Sequence, residues 1–218
     1  MALPGIPNYD LPDASALPAA RGTWQPRPER LALLVHDMQR YFCRPFPPGA
    51  PLEPVVANIA ALLAGARRAG VPVFYTAQKG NQFRPDRGLQ ADLWGPGMGA
   101  LPEHEEILPE LAPEPDDIVL VKHRYSAFQR SNLERLMRAR GRDQLMICGI
   151  YAHIGCLATA AEAFQLDIET FPVADAQADF SRDKHDMAMA WIAATCGVPV
   201  LTADAVALFD TAGATSCA

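Results

Sequence analysis

Short, unbroken apolar runs alternate along this chain with stretches of helical periodicity, and that alternation restricts the fold more than any other feature. Residues 31–35 (LALLV), 71–75 (VPVFY), 118–121 (IVLV), 144–148 (QLMIC), 170–174 (TFPVA) and 198–201 (VPVL) have the length and composition of strands covered on both faces. Helix-like stretches lie between them, at 55–69, 132–140, 154–166 and 182–195, and Gly70 supplies a stop for the first. Parallel neighbours need long crossover connections, which these helices provide. The pattern predicts an α/β fold: one three-layer α/β/α domain around a mostly parallel sheet of about six strands.

A chain of 218 residues, half of them hydrophobic, suits a single domain with a substantial core. Residues 1–29 contain six prolines and read as an extended arm. The domain is expected to span 30–210, with the small, polar stretch 211–218 as a flexible tail. One connection, 77–117, is long and rich in Gly and Pro, including the run WGPGM at 94–98. Ordered insertions of that length in compact domains often serve as lids or binding loops.

The formal net charge of −6 argues against a nucleic-acid surface, yet a few local cations would still accommodate a small anion. Five scattered cysteines and the lack of a cationic, apolar leader predict a cytoplasmic protein with no membrane anchor. There is no Walker loop or dinucleotide fingerprint. His153 and Cys156 have helical spacing, but no second ligand pair accompanies them. Neither a metal nor a cofactor is expected.

Ligands of open parallel sheets bind beyond the carboxyl ends of the strands. Those ends carry His36 and Asp37, Gln78, Lys122, and the segment 149–151 followed by Gly155. Groups far apart in sequence are thereby expected to converge.

The segments 35–42 (VHDMQRYF), 75–78 (YTAQ), 94–97 (WGPG), 149–156 (GIYAHIGC) and 173–181 (VADAQADFS) occur in order, with Lys122 and 124–128 (RYSAF) between them. Over residues 3–209 the chain resembles the isochorismatase family of the cysteine-hydrolase superfamily, of the phenazine or siderophore type. Amidases of that superfamily use an Asp–Lys–Cys triad, and the resemblance places Asp37 and Lys122 in its first two positions. Aligned on Gly149 and on Thr159-Ala160, the nucleophile's place falls to Gly155, and Cys156 lies one residue later. A one-residue shift in a helix turns a side chain by about 100°, so Cys156 is expected to pack rather than react.

What the resemblance implies is hydrolysis of an enolpyruvyl vinyl ether, a reaction that needs an acid and a water but no covalent intermediate. Asp37 is the implied acid, Lys122 its charged neighbour, and Gly155 a gap for the substrate ring. Gln78 is expected to hydrogen-bond the substrate and Arg87 to hold a carboxylate in bidentate fashion. The Tyr151 amide, or the helix start beyond it, would take the pyruvyl carboxylate. Phe42, Trp94 and Tyr125 would form apolar walls. His123 and Lys79 depart from the family pattern, and His123 is expected to make one wall more polar.

The expected substrate is a small chorismate-derived anion, isochorismate or its 2-amino-2-deoxy analogue. The resemblance also implies a homodimer. Siderophore-type relatives often append an aryl carrier domain of ~80 residues, a domain-sized unit. A chain ending at Ala218 is expected to lack one, which favours the amino substrate. Two alternatives remain: a cysteine amidase acting through Cys156, and an inactive member that only binds a ligand or partner.

Overall fold

Five parallel strands build the sheet in this computed structural model, which describes residues 4–216. They are β1 (Leu31–His36), β2 (Val73–Ala77), β3 (Ile118–Val121), β4 (Gln144–Ile150) and β5 (Glu169–Ala178), in the order β3-β2-β1-β4-β5. Short α1 (Arg40–Cys43) and long α2 (Leu52–Arg68) follow β1. The β2–β3 connection carries α3 (Arg84–Arg87), α4 (Gln90–Trp94) and α5 (Pro102–Glu105). Then α6 (Leu133–Ala139) leads into β4, α7 (Leu157–Gln165) into β5, and α8 (Arg182–Thr195) and α9 (Thr202–Ser216) complete the chain.

The two-residue period of each strand divides the core into two layers. Leu31, Leu33 and Val35 of β1, with Met146 and Cys148 of β4, pack beneath α2 and α9. Ala32 and Leu34, with Leu145 and Ile147, face α6, α7 and α8. Helix α2 forms because Val55, Ile59, Leu62, Leu63 and Ala66 share one buried face. It stops at Gly70, whose φ of +65° allows the left-handed turn a helix end requires.

Sequence and structure differ at the edges of elements. The second strand begins at Val73 rather than at 71 and extends to Ala77. The fifth runs on to Ala178, ten residues in all. The run 198–201 lies beside β5 as a sixth, strand-like segment, with Val200 N–H donating to Pro172 and Ala174 N–H to Val200. It amounts to isolated bridges at Gly197 and Val200, because Pro172 of β5 has no N–H to donate to the Val198 carbonyl and so continue the ladder.

The proline-rich arm holds no helix or strand from residue 4 to 30, and it is pinned to the fold. Arg21 N–H donates to Ala193, the Tyr9 hydroxyl accepts the Asp179 amide, and Ile6 is buried. The stretch expected as a flexible tail continues α9 as far as Ser216, and residues 217 and 218 lie outside the described residues. Among the described residues no helix is long and apolar enough to cross a membrane.

From β1 the chain moves outward through β2 and β3, then returns to place β4 and β5 on the other side of β1. Successive connections therefore diverge at the β1–β4 boundary and leave a crevice at the carboxyl ends of those strands, the usual ligand position in this architecture.

Candidate active site

A cavity partly open to solvent occupies that crevice, enclosing about 600 Å³ of empty space when its solvent-exposed mouth is included. Asp37, directly after β1, forms its floor together with Ile150 and Tyr151 from the end of β4. Asp37 takes a left-handed backbone conformation (φ +53°), which turns the chain sharply out of the sheet at the strand end.

The Asp37 carboxylate is buried and held from two sides. Lys122 Nζ donates to Oδ2 at 2.6 Å, and the Thr76 hydroxyl donates to Oδ1 at 2.7 Å. Thr76 Oγ1 also accepts the Asp37 amide. Burial alone would raise the Asp37 carboxyl. The Lys122 ammonium and the hydrogen bonds from Lys122 and Thr76 more than offset that, so the carboxyl stays below its ordinary range. In the free protein Asp37 is therefore ionised at neutral pH.

Arg87, in α3, presents a second cation to the cavity. Its Nε donates to the Gly95 carbonyl at 2.7 Å, and it is 6% exposed. Among the described residues no carboxylate pairs with it, and burial lowers the pKa of its guanidinium. A Cβ on Gly97 (φ +85°) would lie 2.7 Å from Arg87 Nη1, which explains the second glycine of the WGPG run. Trp94 Nε1 donates to the Tyr125 hydroxyl at 2.6 Å, joining two aromatic walls.

The β2–β3 connection lies over the mouth and contributes Gln78, Arg87 and Trp94, together with Gln90. Its anchor is Gln39. That fully buried amide accepts the Gln78 N–H at 2.7 Å and donates to the carbonyls of Gln78 at 2.8 Å and Glu105 at 2.7 Å. The Gln78 backbone is thus clamped while its side chain faces the cavity.

All nine residues singled out in the sequence line this one cavity: Asp37, Lys122 and Gly155, then Phe42, Gln78 and Arg87, then Trp94, Tyr125 and Tyr151. Two expectations about how they act need correction, and a third, the helix start as an anion site, is narrowed. A Cβ on Gly155 would collide with the His36 ring, 2.2 Å from Cε1, so the missing side chain makes room for His36 and not for substrate. The Tyr151 hydroxyl donates to the Phe42 carbonyl at 2.6 Å, a bond that does not engage the Tyr151 amide. The helix start beyond it is a wide π turn (Ala152–Cys156), and there the His153 amide is already taken by Asp179 at 2.6 Å. His123 does not line the cavity, so the polar wall expected from it is not formed.

Cys156 points into the other core layer with Ala152 and Ala160, fully buried, and burial raises its thiol well above the ordinary value. A thiol so placed is a packing group. Tyr41, Gln90, Ile150, Ile154 and Phe180 also line the cavity and were missed as individual residues. Phe180 did carry a signal, since it is the next-to-last residue of the 173–181 motif. Gln90 carried none, being one polar residue on a short loop helix. No group of three or more His, Cys, Asp or Glu side chains is gathered for a metal ion among the described residues.

Residues 31–205 match the isochorismatase domain family. The chain is 53% identical over 203 residues to the isochorismatase of Bacillus subtilis (strain 168), an alignment that spans 93% of this chain and 65% of that protein. It is 50% identical over 206 residues to the phenazine biosynthesis protein PhzD of Pseudomonas fluorescens, spanning 94% and 99% of the two. A cysteine hydrolase from Pseudomonas syringae pv. phaseolicola 1448A has a solved structure with the same fold, at a TM-score of 0.80 and 27% identity over 89% of this chain and 98% of that one. The matched length, the two relatives at half identity and the strand-end cavity agree: the chain belongs to the isochorismatase family.

Proposed function

We propose that this protein hydrolyses the enolpyruvyl vinyl ether of isochorismate or of 2-amino-2-deoxyisochorismate, releasing pyruvate and the ring alcohol, with Asp37 as general acid. The observation that carries this reading is the lining itself. Among the described residues it holds one carboxyl, Asp37, two cations, Lys122 and Arg87, and no cysteine, serine or histidine. Such a set favours protonation and charge placement over nucleophilic attack.

The steps balance without a covalent enzyme intermediate. The Asp37 proton goes to the methylene carbon of CH2=C(COO−)–O–R, giving an oxocarbenium ion. Water adds to the neighbouring carbon, the one that bears the ether oxygen and the carboxylate, and its proton returns to the Asp37 carboxylate. The hemiketal then collapses to pyruvate and R–OH. Arg87 is positioned to hold one carboxylate of the substrate, with its two nitrogens beyond Nε free for a bidentate pair. Lys122 divides its charge between Asp37 and the bound anion.

Asp37 is ionised before substrate arrives, so binding must supply its proton affinity. A dianion entering the cavity displaces water and brings negative charge beside the carboxylate, and both effects favour the protonated form. Pyruvate release from isochorismate and from its amino analogue tests the reading directly. Asp37→Asn is expected to lower turnover by about 10²–10⁴-fold, the usual contribution of a general acid, while still binding substrate. Near-normal turnover in Asp37→Asn removes it from the mechanism, and no pyruvate from either substrate removes the activity.

In the same reading the protein is a cytoplasmic homodimer without cofactor, with residues 30–210 as its hydrolase domain. A monomer mass by light scattering would contradict the dimer.

A further inference from the structure

His36 lies one residue before Asp37, wholly buried and outside the cavity lining. Its Nδ1 is 3.0 Å from the Ile150 carbonyl oxygen, and its Nε2 is 3.3 Å from the Thr159 hydroxyl. A carbonyl can only accept, so Nδ1 carries the hydrogen. Thr159 Oγ1 already accepts the Ala127 amide at 3.0 Å, leaving its own proton for Nε2. Burial first, and the Lys122 charge second, push the imidazole down to about 4, consistent with a neutral ring having one donor and one acceptor.

The ring is a wedge. A Cβ built on Gly155 would sit 2.2 Å from Cε1 and 3.0 Å from each ring nitrogen. On its other flank, Nδ1 is 3.7 Å from Asp37 Oδ2. Gly155, Ile150 and Asp37 all line the cavity, and His36 touches or abuts each of them from behind.

We propose that His36 is a positioning residue for the hydrolysis: its imidazole, tied at both nitrogens and seated against Gly155, fixes the cavity floor so that the Asp37 carboxyl faces the bound vinyl ether. The inference rests on the vinyl-ether reading of the site. His36 supplies no proton itself, because the ring is neutral and both nitrogens are engaged. Without it, Asp37 and Ile150 relax toward the vacated space. Displacing a reacting group by about 1 Å lowers rates by as much as ~10²-fold.

Turnover of the parent enzyme is measured first by pyruvate release, then that of His36→Ala, His36→Asn, Gly155→Ala and the double variant His36→Ala/Gly155→Ala, each with its melting temperature. His36→Ala should lower kcat by at least about tenfold while KM stays within about threefold, the signature of lost positioning rather than lost binding. His36→Asn, whose amide can still donate to Ile150, should recover most of kcat. Gly155→Ala should lose both stability and turnover. The double variant should regain the melting temperature lost in Gly155→Ala but not kcat, which carries the test if His36→Ala alone does not fold.

Parental kcat in a folded His36→Ala or in the double variant would overturn the proposal, as would a Gly155→Ala that melts and turns over like the parent. An inactive parent would overturn the vinyl-ether reading and this proposal with it. An active parent with an indifferent His36 overturns the proposal alone.

Discussion

Lys122→Met should reverse the pH dependence of stability contributed by the buried pair. Nζ and Oδ2 lie 2.6 Å apart, with the two side chains only 3% and 7% exposed, so solvent screens the pair weakly. In the parent, the carboxyl lies below its ordinary value. It therefore contributes stability above the unfolded-chain pKa near 3.8, and that contribution is lost as pH falls through the folded value. Methionine preserves much of the lysine stem but removes the cation, leaving Thr76 as the remaining hydrogen-bond donor to Oδ1. Burial then dominates, and the carboxyl rises above its unfolded value.

In the variant, stability is fully present below the unfolded pKa and drains away as pH rises toward the raised one. A hundredfold increase in proton affinity, modest for a buried carboxyl without its cation, is worth about 2.7 kcal/mol. Lys122→Met should lose roughly that amount between pH 4 and pH 7. At neutral pH the total loss should approach the ~3–5 kcal/mol typical of a broken buried pair. Urea titrations at half-unit pH steps read both slopes, and Lys122→Met/Asp37→Asn should abolish the inverted one. A Lys122→Met whose stability still rises with pH would refute the argument that Lys122 holds the carboxylate ionised.

Three further outcomes follow from the site. Arg87→Met should raise KM by about 10–100-fold with a smaller effect on kcat, since a charge-assisted hydrogen bond to a bound carboxylate is worth about 1.5–3 kcal/mol; unchanged KM in steady-state assays would place the substrate carboxylate elsewhere. Cys156→Ala should keep parental kcat in the pyruvate assay, and an inactive but folded Cys156→Ala would restore the thiol as nucleophile. Gly149→Ala should unfold or lose more than about 3 kcal/mol in urea, because φ is +110° and the new Cβ would lie 2.2 Å from the His36 carbonyl oxygen.

The strand–helix alternation was legible because its signal is local. Every strand covered on both faces must be apolar at successive residues, as in LALLV and QLMIC, and every covering helix must repeat at 3.6. Element edges were less legible where propensity and hydrogen bonding disagree. The run 198–201 has strand composition, but Pro172 of the neighbouring β5 lacks the N–H that the ladder needs opposite Val198. The helical stretch expected from residue 154 opens at Ala152, because the Tyr151 carbonyl accepts the amides of Ile154 and Cys156 across a wider turn.

Site residues were legible for a related reason. Asp37, Gln78, Lys122 and Tyr151 follow strand ends, and a parallel sheet places all such ends on one edge. Residues acting through the backbone or from behind the cavity were not. Gln39 clamps Gln78 by bonds to main-chain atoms, which any polar residue nearby could have made. Tyr41 and Gln90 reach the cavity only through the path of α1 and the β2–β3 connection.

By itself, the sequence determined the layered α/β fold and the strand-end groups, because periodicity is local geometry, and its resemblance to the family set Cys156 aside as a nucleophile. The tertiary structure alone decided what fills the space beside Gly155. The sequence leaves a gap there, which the family resemblance gave to the substrate ring. Packing gives it to His36, whose position depends on β1, β4 and α7 meeting in three dimensions. It also decided the charge of Asp37, since burial and a lysine 85 residues away oppose one another, and only their 2.6 Å separation shows which prevails.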